Sequence, residues 1–219
     1  MQRIMNEGLK PIPLLLRDRL KGFLPRPTKV LLLIAGLLPL ARSLVLSLEA
    51  VNPIEFFTRS TGTWALVALL LTLSITPLRQ LTGYSRLIDY RRMLGLFTFF
   101  YAFLHFMTYL WLDQFFDWSA IGQDILKRPF ITVGFAAFVL LIPLAVTSTK
   151  GWMRRLKRNW SRLHRLVYVI AILGVVHYLW LVKADLTTPA IYAAVLAVLL
   201  GWRVLRYWRG RRDQAPANG

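Results

Sequence analysis

The sequence contains no cysteine, and it has only ten acidic residues against 28 lysines and arginines. The absence of thiols excludes disulfides, iron–sulfur clusters, covalently attached c-type haem and thiolate chemistry. A bound metal must therefore be held by histidine, methionine, carboxylate or backbone oxygen, and the chain has just three histidines. The excess of basic residues gives a formal net charge of +18, and its distribution along the chain needs an explanation.

Nucleotide-binding motifs are also missing from the sequence. No G-x-G-x-x-G stretch follows a strand pattern and no P-loop is present, so the usual loops for dinucleotides and nucleoside triphosphates are absent. If this chain moves electrons, it must collect them from a lipid-soluble or diffusible donor. It must then deliver them to another protein.

Hydrophobic residues make up 56% of the chain. They are gathered into blocks of about 20 residues, the length that crosses a bilayer core of about 30 Å. We therefore predict an all-α integral membrane protein built as a six-helix transmembrane bundle. The predicted spans are Val30–Leu48, Trp64–Leu81, Met93–Leu112, Phe130–Thr147, Leu166–Leu181 and Ala190–Trp208.

Prolines punctuate these blocks. Pro129 and Pro189 suit the first turn of a helix, and Thr188 is a predicted N-cap. Three further prolines fall inside or near the end of spans, where membrane helices tolerate them as kinks. They are Pro39, Pro77 and Pro143.

The basic residues lie on one side of the predicted topology. Residues 1–29, 78–92, 148–165 and 203–219 together hold 23 basic and four acidic residues, whereas the segments of the other side hold four basic and six acidic residues. Because basic loops stay in the cytoplasm, both termini are predicted to be cytoplasmic. Basic loops also suit anionic membrane lipid headgroups, so the net charge does not indicate a nucleic-acid partner.

One membrane domain, residues 30–208, accounts for most of the chain. Residues 1–29 are predicted to form a basic cytoplasmic tail, in which no cleavable signal peptide is evident and a short interfacial helix is predicted near Ile12–Phe23. Residues 209–219 are predicted to form a disordered cytoplasmic tail.

Two of the histidines, His105 and His177, lie at the same predicted depth. The third and fifth spans both run outward, and these residues follow Arg92 and His164 by 13 positions each, or about 20 Å along a helix. Two imidazoles at one level on neighbouring helices suit the axial ligation of one haem iron. Without cysteine, that haem would be non-covalent, b-type haem.

The same pattern has other interpretations. An intramembrane histidine often makes an interhelical hydrogen bond, and histidines can relay protons in a small transporter. The relay is weakened because no Asp or Glu lies inside the predicted spans. A non-redox membrane anchor for a partner is a third possibility. The aromatic residues around His105 suit an interfacial belt, or the wall of a haem pocket.

His164 lies between Arg162 and Arg165 at the predicted inner surface. Its simplest interpretation is a partly solvated interfacial side chain. Its functional interpretations are a ligand to a second haem or a contact to a flavin or quinone headgroup. A helical step of 13 residues turns it about 140° away from His177, so a second haem directly below the first is not implied. Arg42, inside the first span, pairs with a haem propionate or snorkels outward.

Seven stretches carry a resemblance to a known family. They are FFTRSTGTWAL (56–66), ITPLR (75–79), RRMLGL (91–96), LHFMTY around His105, RPFITVG (128–134), TSTKGWMRRL (147–156) and W..LHRLVYV....VHYLW (160–180). With them the chain resembles the ferric-reductase-like transmembrane family, and within it the haem-binding membrane subunits of bacterial periplasmic methionine-sulfoxide reductase systems. The resemblance extends over residues 31–205 and is weakest in residues 1–29.

The resemblance implies a function. Members of the family carry b-type haem, and FMN is attributed to them. They pass electrons from the quinone pool to a periplasmic molybdenum-containing methionine-sulfoxide reductase subunit (MsrP-like), which repairs oxidised proteins. Substrate chemistry would fall to that partner, so no catalytic residue is expected here, and the location implied is the bacterial inner membrane.

Carried over by position, His105, His164 and His177 are the haem-associated histidines of this family. The family does not settle which of them pair. The depth argument selects His105 and His177 as the axial pair. It leaves His164 for a second haem, or for a flavin or quinone contact on the cytoplasmic side.

Overall fold

The computed structural model describes residues 27–212 of the 219-residue chain. Over these residues the structure consists of helices and short connections, without a β-strand. Six of the described helical segments are long and apolar enough to cross a membrane, so the predicted all-helical, six-span architecture is confirmed. They are Pro27–Glu49, Pro53–Thr82, Ser85–Asp113, Pro129–Val146, Arg158–Leu181 and Thr187–Arg209.

Several spans are built from more than one helical segment. The third begins with a 3₁₀ turn, Ser85–Leu87, and ends in a π-helical stretch, Thr108–Asp113. In chain order, the α-helices of the described part are α1 Pro27–Glu49, α2 Pro53–Thr82, α3 Ile88–Met107, α4 Trp118–Lys127, α5 Pro129–Val146, α6 Lys150–Leu156, α7 Arg158–Leu163, α8 Leu166–Leu181 and α9 Thr187–Arg212.

The chain divides into two compact units between Leu38 and Pro39. Of the first unit the structure describes the start of α1, an apolar helical stretch that begins at Pro27. The second unit contains the rest of α1 and all the later helices.

Two helical hairpins dominate the second unit. The most extensive helix contacts join α2 to α3 and α5 to α8, and the hairpins meet where α3 packs on α5 and α2 on α8. Helix α9 packs on α8 and α2. The main apolar core lies between α2, α5, α8 and α9 and includes Leu73 and Ala171, both fully buried. In this arrangement α3 and α8, the helices that carry His105 and His177, are each the second helix of a hairpin.

Helix α2 begins 11 residues before the predicted span start at Trp64, and its N-terminus explains why. The Asn52 side chain accepts a hydrogen bond from the Glu55 backbone N–H, and Pro53 occupies the first turn. These are strong helix-start signals, but they lie in a polar stretch that hydropathy alone assigns to a loop. Arg59, predicted in that loop, is therefore helical and forms an ion pair with Glu55 at 2.6 Å.

Two other sequence predictions need correction at loops and caps. The connection after the third span contains α4, which the Asp117 side chain caps by accepting from two backbone N–H groups. The sequence predicts Thr188 as the N-cap of the last span, but α9 already includes Thr187. The Asp185 carboxylate accepts a hydrogen bond from the Thr187 backbone N–H and so supplies the cap.

Pro77 lies inside α2, as predicted for a membrane helix. Because proline has no N–H, the carbonyl of Leu73 loses its usual donor within the helix. The Arg203 guanidinium of α9 donates a hydrogen bond to that carbonyl and another to the carbonyl of Leu199. A side chain from a neighbouring helix thus satisfies the group that the proline leaves open, which is how membrane helices accommodate proline.

The predicted chain ends are only partly described. The interfacial helix predicted near Ile12–Phe23 lies outside the described residues, as do residues 213–219 of the predicted C-terminal tail. Residues 209–212, assigned to that tail from the sequence, belong to helix α9.

Candidate haem-binding site

His105 of α3 and His177 of α8 face each other across the two hairpins. Their ring centroids are 6.1 Å apart, and the ring planes make an angle of 73°. Both imidazoles are partly buried. The two residues that the sequence places at one depth thus form a close pair between neighbouring spans.

Each of these imidazoles is tied by one nitrogen to the backbone of the preceding long helix. The Nδ1 of His105 lies 2.8 Å from the carbonyl oxygen of Thr58 in α2. The Nδ1 of His177 lies 2.6 Å from the carbonyl oxygen of Phe130 in α5. A carbonyl can only accept, so Nδ1 carries the proton in both rings. The Nε2 of each neutral ring is then left with its lone pair, which is the form that binds a metal.

The free imidazole nitrogens of His105 and His177 suit the haem iron that is predicted from the sequence. Two neutral imidazoles, each with Nδ1–H bonded to a carbonyl, are a usual axial pair for haem. Two metal–nitrogen bonds of about 2 Å plus the two ring radii give a centroid separation of about 6 Å, close to that observed. Among residues 27–212, no cluster of three or more His, Cys, Asp or Glu could hold a metal. The candidate site is therefore the histidine pair, with haem supplying the remaining iron ligands.

Aromatic side chains pack beside this pair. The Phe106 ring, next to His105 in sequence, lies 5.8 Å from that of Phe135 and 4.7 Å from that of Phe138. Phe99 stacks on Phe138 at 6.1 Å with nearly parallel rings. These rings pack on one another between α3 and α5. The same rings give the neighbourhood of His105 an apolar character.

His164 lies apart from the pair and has different partners. Its Nε2 is 3.0 Å from the Thr147 hydroxyl, and its ring stacks on Trp160 with centroids 4.0 Å apart. The Thr147 hydroxyl is also 2.6 Å from the Pro143 carbonyl. When the hydroxyl donates there, Nε2 of His164 must carry the proton and donate to the hydroxyl. The Trp160 indole N–H donates to the backbone carbonyl of Thr147 at 2.9 Å, so His164, Thr147 and Trp160 form one connected group.

The neighbourhood of His164 is cationic. Arg91, at the start of α3, is close enough to His164 to act on it electrostatically. Arg162 and Arg165 flank it in sequence and are exposed. The role predicted for His164, as a second haem ligand or a flavin or quinone contact, stays a prediction.

Arg42 is exposed and lines a groove of about 450 Å³ beside α2. Other residues along the groove are Arg59, Ser60, Thr63, Trp64 and Tyr192. An exposed guanidinium at the groove is compatible with snorkelling, and the haem-propionate role stays a prediction.

The carbonyl partners of the histidines were missed from the sequence. Thr58 and Phe130 act through backbone oxygens, which leave no side-chain signal. Their spacing is nevertheless regular, because each carbonyl precedes its histidine by 47 residues.

The chain matches the family model described as "Ferric reductase like transmembrane component" over residues 61–175. The matched region contains His105 and His164 and ends two residues before His177. It covers more than half of the chain. No solved structure matches the chain.

Two curated relatives share the name "Protein-methionine-sulfoxide reductase heme-binding subunit MsrQ". The chain is 59% identical to the protein of Xanthomonas campestris pv. campestris (strain B100) over 164 residues, 75% of each chain. It is 54% identical to the protein of Ralstonia nicotianae (strain ATCC BAA-1114 / GMI1000) over 200 residues, 89% of this chain and 92% of the relative. Six apolar helices and these relatives indicate a multi-pass bacterial membrane protein. The chain therefore belongs to the MsrQ family of haem-binding subunits, within the ferric-reductase-like transmembrane proteins.

Proposed function

We propose that this chain is a membrane electron-transfer subunit that carries electrons from quinol, or from a reduced flavin, to a periplasmic reductase subunit. The carrier is b-type haem held between His105 and His177. The partner is a molybdenum-containing, MsrP-like subunit that reduces methionine sulfoxide in oxidised proteins. The names of the relatives support the haem and the reductase system, and the donor and the partner's identity come from the family resemblance.

The observation that carries this proposal is the geometry of the histidine pair. The two rings are 6.1 Å apart, and each has its Nδ1 bonded to a backbone carbonyl. A histidine relay for protons needs titratable neighbours that continue the path. No Asp or Glu has its side chain hydrogen-bonded to either imidazole among the described residues. The pair therefore suits metal ligation better than proton transfer.

When bound, haem supplies a one-electron carrier that cycles between two iron oxidation states. The chain's own residues hold and tune it. His105 and His177 contribute neutral nitrogens, and the carbonyls of Thr58 and Phe130 accept from the opposite nitrogens and so raise ligand basicity. The Phe130 ring lies 6.4 Å from that of His177, and apolar surroundings of this kind alter the redox potential of a bound haem.

Electrons are proposed to enter on the side of His164. The loops near it are rich in basic residues, which favour the cytoplasmic side, so the proposal puts this side and both termini in the cytoplasm. Exposed guanidiniums and the stacked His164–Trp160 pair suit an aromatic, electron-rich headgroup such as that of a quinol. FMN belongs to the proposal through the family resemblance, and no residue is assigned to it.

Electrons are proposed to leave through the opposite, more acidic face. Four aspartates lie in its connections: Asp113, Asp117, Asp124 and Asp185. Asp117 caps α4, and Asp124 pairs with Arg128 at 3.2 Å. Asp185 is fully exposed, and hydrogen bonds from Thr187 hold the pKa of its carboxyl below the usual range, so it stays anionic at neutral pH. An exposed anionic residue can steer a complementary partner to this face.

The test is electron transfer through the purified chain in lipid nanodiscs. A water-soluble quinol is added, and haem reduction is followed by absorbance. The MsrP-like partner and methionine sulfoxide are then supplied. We expect quinol to reduce a b-type haem, and the partner to reoxidise it over many turnovers only when sulfoxide is present. A chain without haem, or haem that the partner cannot reoxidise, would refute the proposal.

A further inference from the structure

Each ligand histidine lies against a glycine of the preceding helix. Gly62 follows Thr58 by four residues in α2, and Gly134 follows Phe130 by four residues in α5. Residues four apart lie one above the other on one helix face. The carbonyl that accepts from Nδ1 and the glycine beside the ring therefore form one compact unit, which occurs once in each hairpin.

Neither contact leaves room for a methyl group unless the imidazole shifts. A methyl group built on Gly62 would lie 3.0 Å from Nδ1 and 3.1 Å from Cε1 of His105. On Gly134 it would lie 2.7 Å from Nδ1 and 2.8 Å from Cε1 of His177. Both positions lie well inside a helix, where glycine is destabilising relative to alanine. A local reason for glycine is therefore needed, and the approaching imidazole provides it.

Glycines in α3 and α8 show that such close contacts are not general among the glycines of the spans. A methyl on Gly95, in α3 with His105, would meet its nearest neighbour at 3.8 Å, and one on Gly174, in α8 with His177, at 3.7 Å. These are ordinary van der Waals distances. Among the glycines of residues 39–209 whose surroundings are described, only Gly62 and Gly134 touch a histidine ring.

Glycine also keeps the carbonyl accessible. In a helix the carbonyl of residue i points toward residue i+4, so a side chain at that position lies beside the oxygen and obstructs a second donor. With glycine there, the carbonyl can accept from an imidazole as well as from the helix. In α2 the Thr61 hydroxyl also lies 3.0 Å from the Thr58 carbonyl, so that oxygen is shared among donors.

We propose that Gly62 and Gly134 are positioning residues for the haem ligands. Each glycine lets the helix backbone touch the imidazole edge, and this contact together with the Nδ1–H···O=C bond sets the plane of the ring. The two planes in turn set the low-spin spectrum and the potential of the haem between His105 and His177. The inference rests on the proposed haem ligation.

The contacts around His177 are closer than those around His105, and this difference predicts which glycine substitution disturbs the haem more. The His177 half is tighter both in its Nδ1–carbonyl distance, 2.6 Å against 2.8 Å, and in its glycine contact. A methyl at Gly134 must displace the ring, whereas one at Gly62 needs a smaller shift. Gly134→Ala is therefore expected to disturb the site more than Gly62→Ala.

The experiment compares four full-length variants with the wild-type chain: Gly62→Ala, Gly134→Ala, and the matched controls Gly95→Ala and Gly174→Ala. Haem content, the low-temperature EPR spectrum of the oxidised haem and its midpoint potential are measured. We expect Gly134→Ala to lose haem or shift both the EPR signal and the potential. Gly62→Ala should shift them less, and both controls should match the wild type.

The outcomes separate the two proposals. Wild-type chain without haem refutes the proposed function, and the inference with it. Wild-type chain with haem and a Gly134→Ala variant of unchanged haem content, EPR signal and potential overturns the inference alone. Equal shifts in all four variants also overturn it, because general packing then explains them. If Gly134→Ala does not fold, Gly62→Ala decides, and wild-type behaviour of that variant overturns the inference.

Discussion

His177 and His164 belong to one candidate span and lie 13 residues apart, but their surroundings differ. His177 is bonded through Nδ1 to a backbone carbonyl and faces the ring of His105. His164 is engaged through Nε2 with the Thr147 hydroxyl and stacks on Trp160. The nitrogen that is free to bind iron in His177 is the one already occupied in His164.

This difference separates two roles along one span. A neutral imidazole fixed by Nδ1 to a carbonyl offers Nε2 as a ligand. An imidazole whose Nε2 contacts a hydroxyl must break that bond before Nε2 can bind a metal, or must use Nδ1. This difference supports the proposed ligation of haem by His105 and His177, and the proposed place of His164 on the electron-entry side.

The largest loss of bound haem is expected when either histidine of the His105–His177 pair is replaced. His105→Ala or His177→Ala leaves the iron with one protein ligand. Mutation of a group that only hydrogen-bonds to a metal ligand lowers metal affinity about 10- to 100-fold. Removing a ligand itself should therefore lower haem affinity at least as much. Haem content and the reduced-minus-oxidised spectrum of each purified variant measure this.

Tyr178→Phe is the matched control, since it alters the residue beside His177 and keeps the ring. It should retain wild-type haem. A His105→Ala or His177→Ala variant that folds and keeps its full haem content would contradict the assignment.

A smaller effect, slower electron entry without loss of haem, is expected from His164→Ala. The haem of the His105–His177 pair should stay bound with its spectrum unchanged, because His164 lies outside that pair. Reduction of this haem by quinol should slow, since the entry side loses its stacked imidazole. Stopped-flow absorbance with quinol measures the rate, and dithionite reduction supplies the control that bypasses the entry side. Loss of the haem signal in this variant would contradict the separate roles proposed for His164 and His177.

The smallest effect is expected from Thr147→Val, which removes one hydroxyl and keeps the shape of the side chain. Losing that partner of His164 Nε2 costs about 1–3 kcal/mol when the nitrogen stays buried and unpaired. The quinol-driven rate should fall less than in His164→Ala, with haem content unchanged. Ser148→Ala is the control, because the Ser148 hydroxyl donates to the Leu144 carbonyl instead. Equal rates for Thr147→Val and wild type would show that this hydrogen bond does not matter for electron entry.

Much of the architecture could be predicted from the sequence. The apolar blocks define six spans because the bilayer imposes a length, and the common depth of His105 and His177 follows from the rise of a helix. The start of α2 could not be obtained from hydropathy, since its first turns around Arg59 are polar. Helix α4 was not predicted either, because a ten-residue amphipathic helix lacks the long apolar run that marks a span.

The supporting parts of the candidate site were harder to foresee. Backbone carbonyls such as those of Thr58 and Phe130 can belong to any residue type, so side-chain chemistry gives no sign of them. Gly62 and Gly134 are visible in the sequence, but glycine has many roles in membrane helices. Only the three-dimensional contact between each glycine and an imidazole shows why the small residue is needed there.

The central claim is that His105 and His177 hold the same haem. The most direct test is the haem-to-protein ratio of His105→Ala, His177→Ala and the double variant, measured beside the wild type. One shared haem predicts equal losses in the two single variants and no further loss in the double variant, because the effects of residues that share one ligand do not add. Losses that add in the double variant would show that the two histidines bind different haems, and would contradict this account.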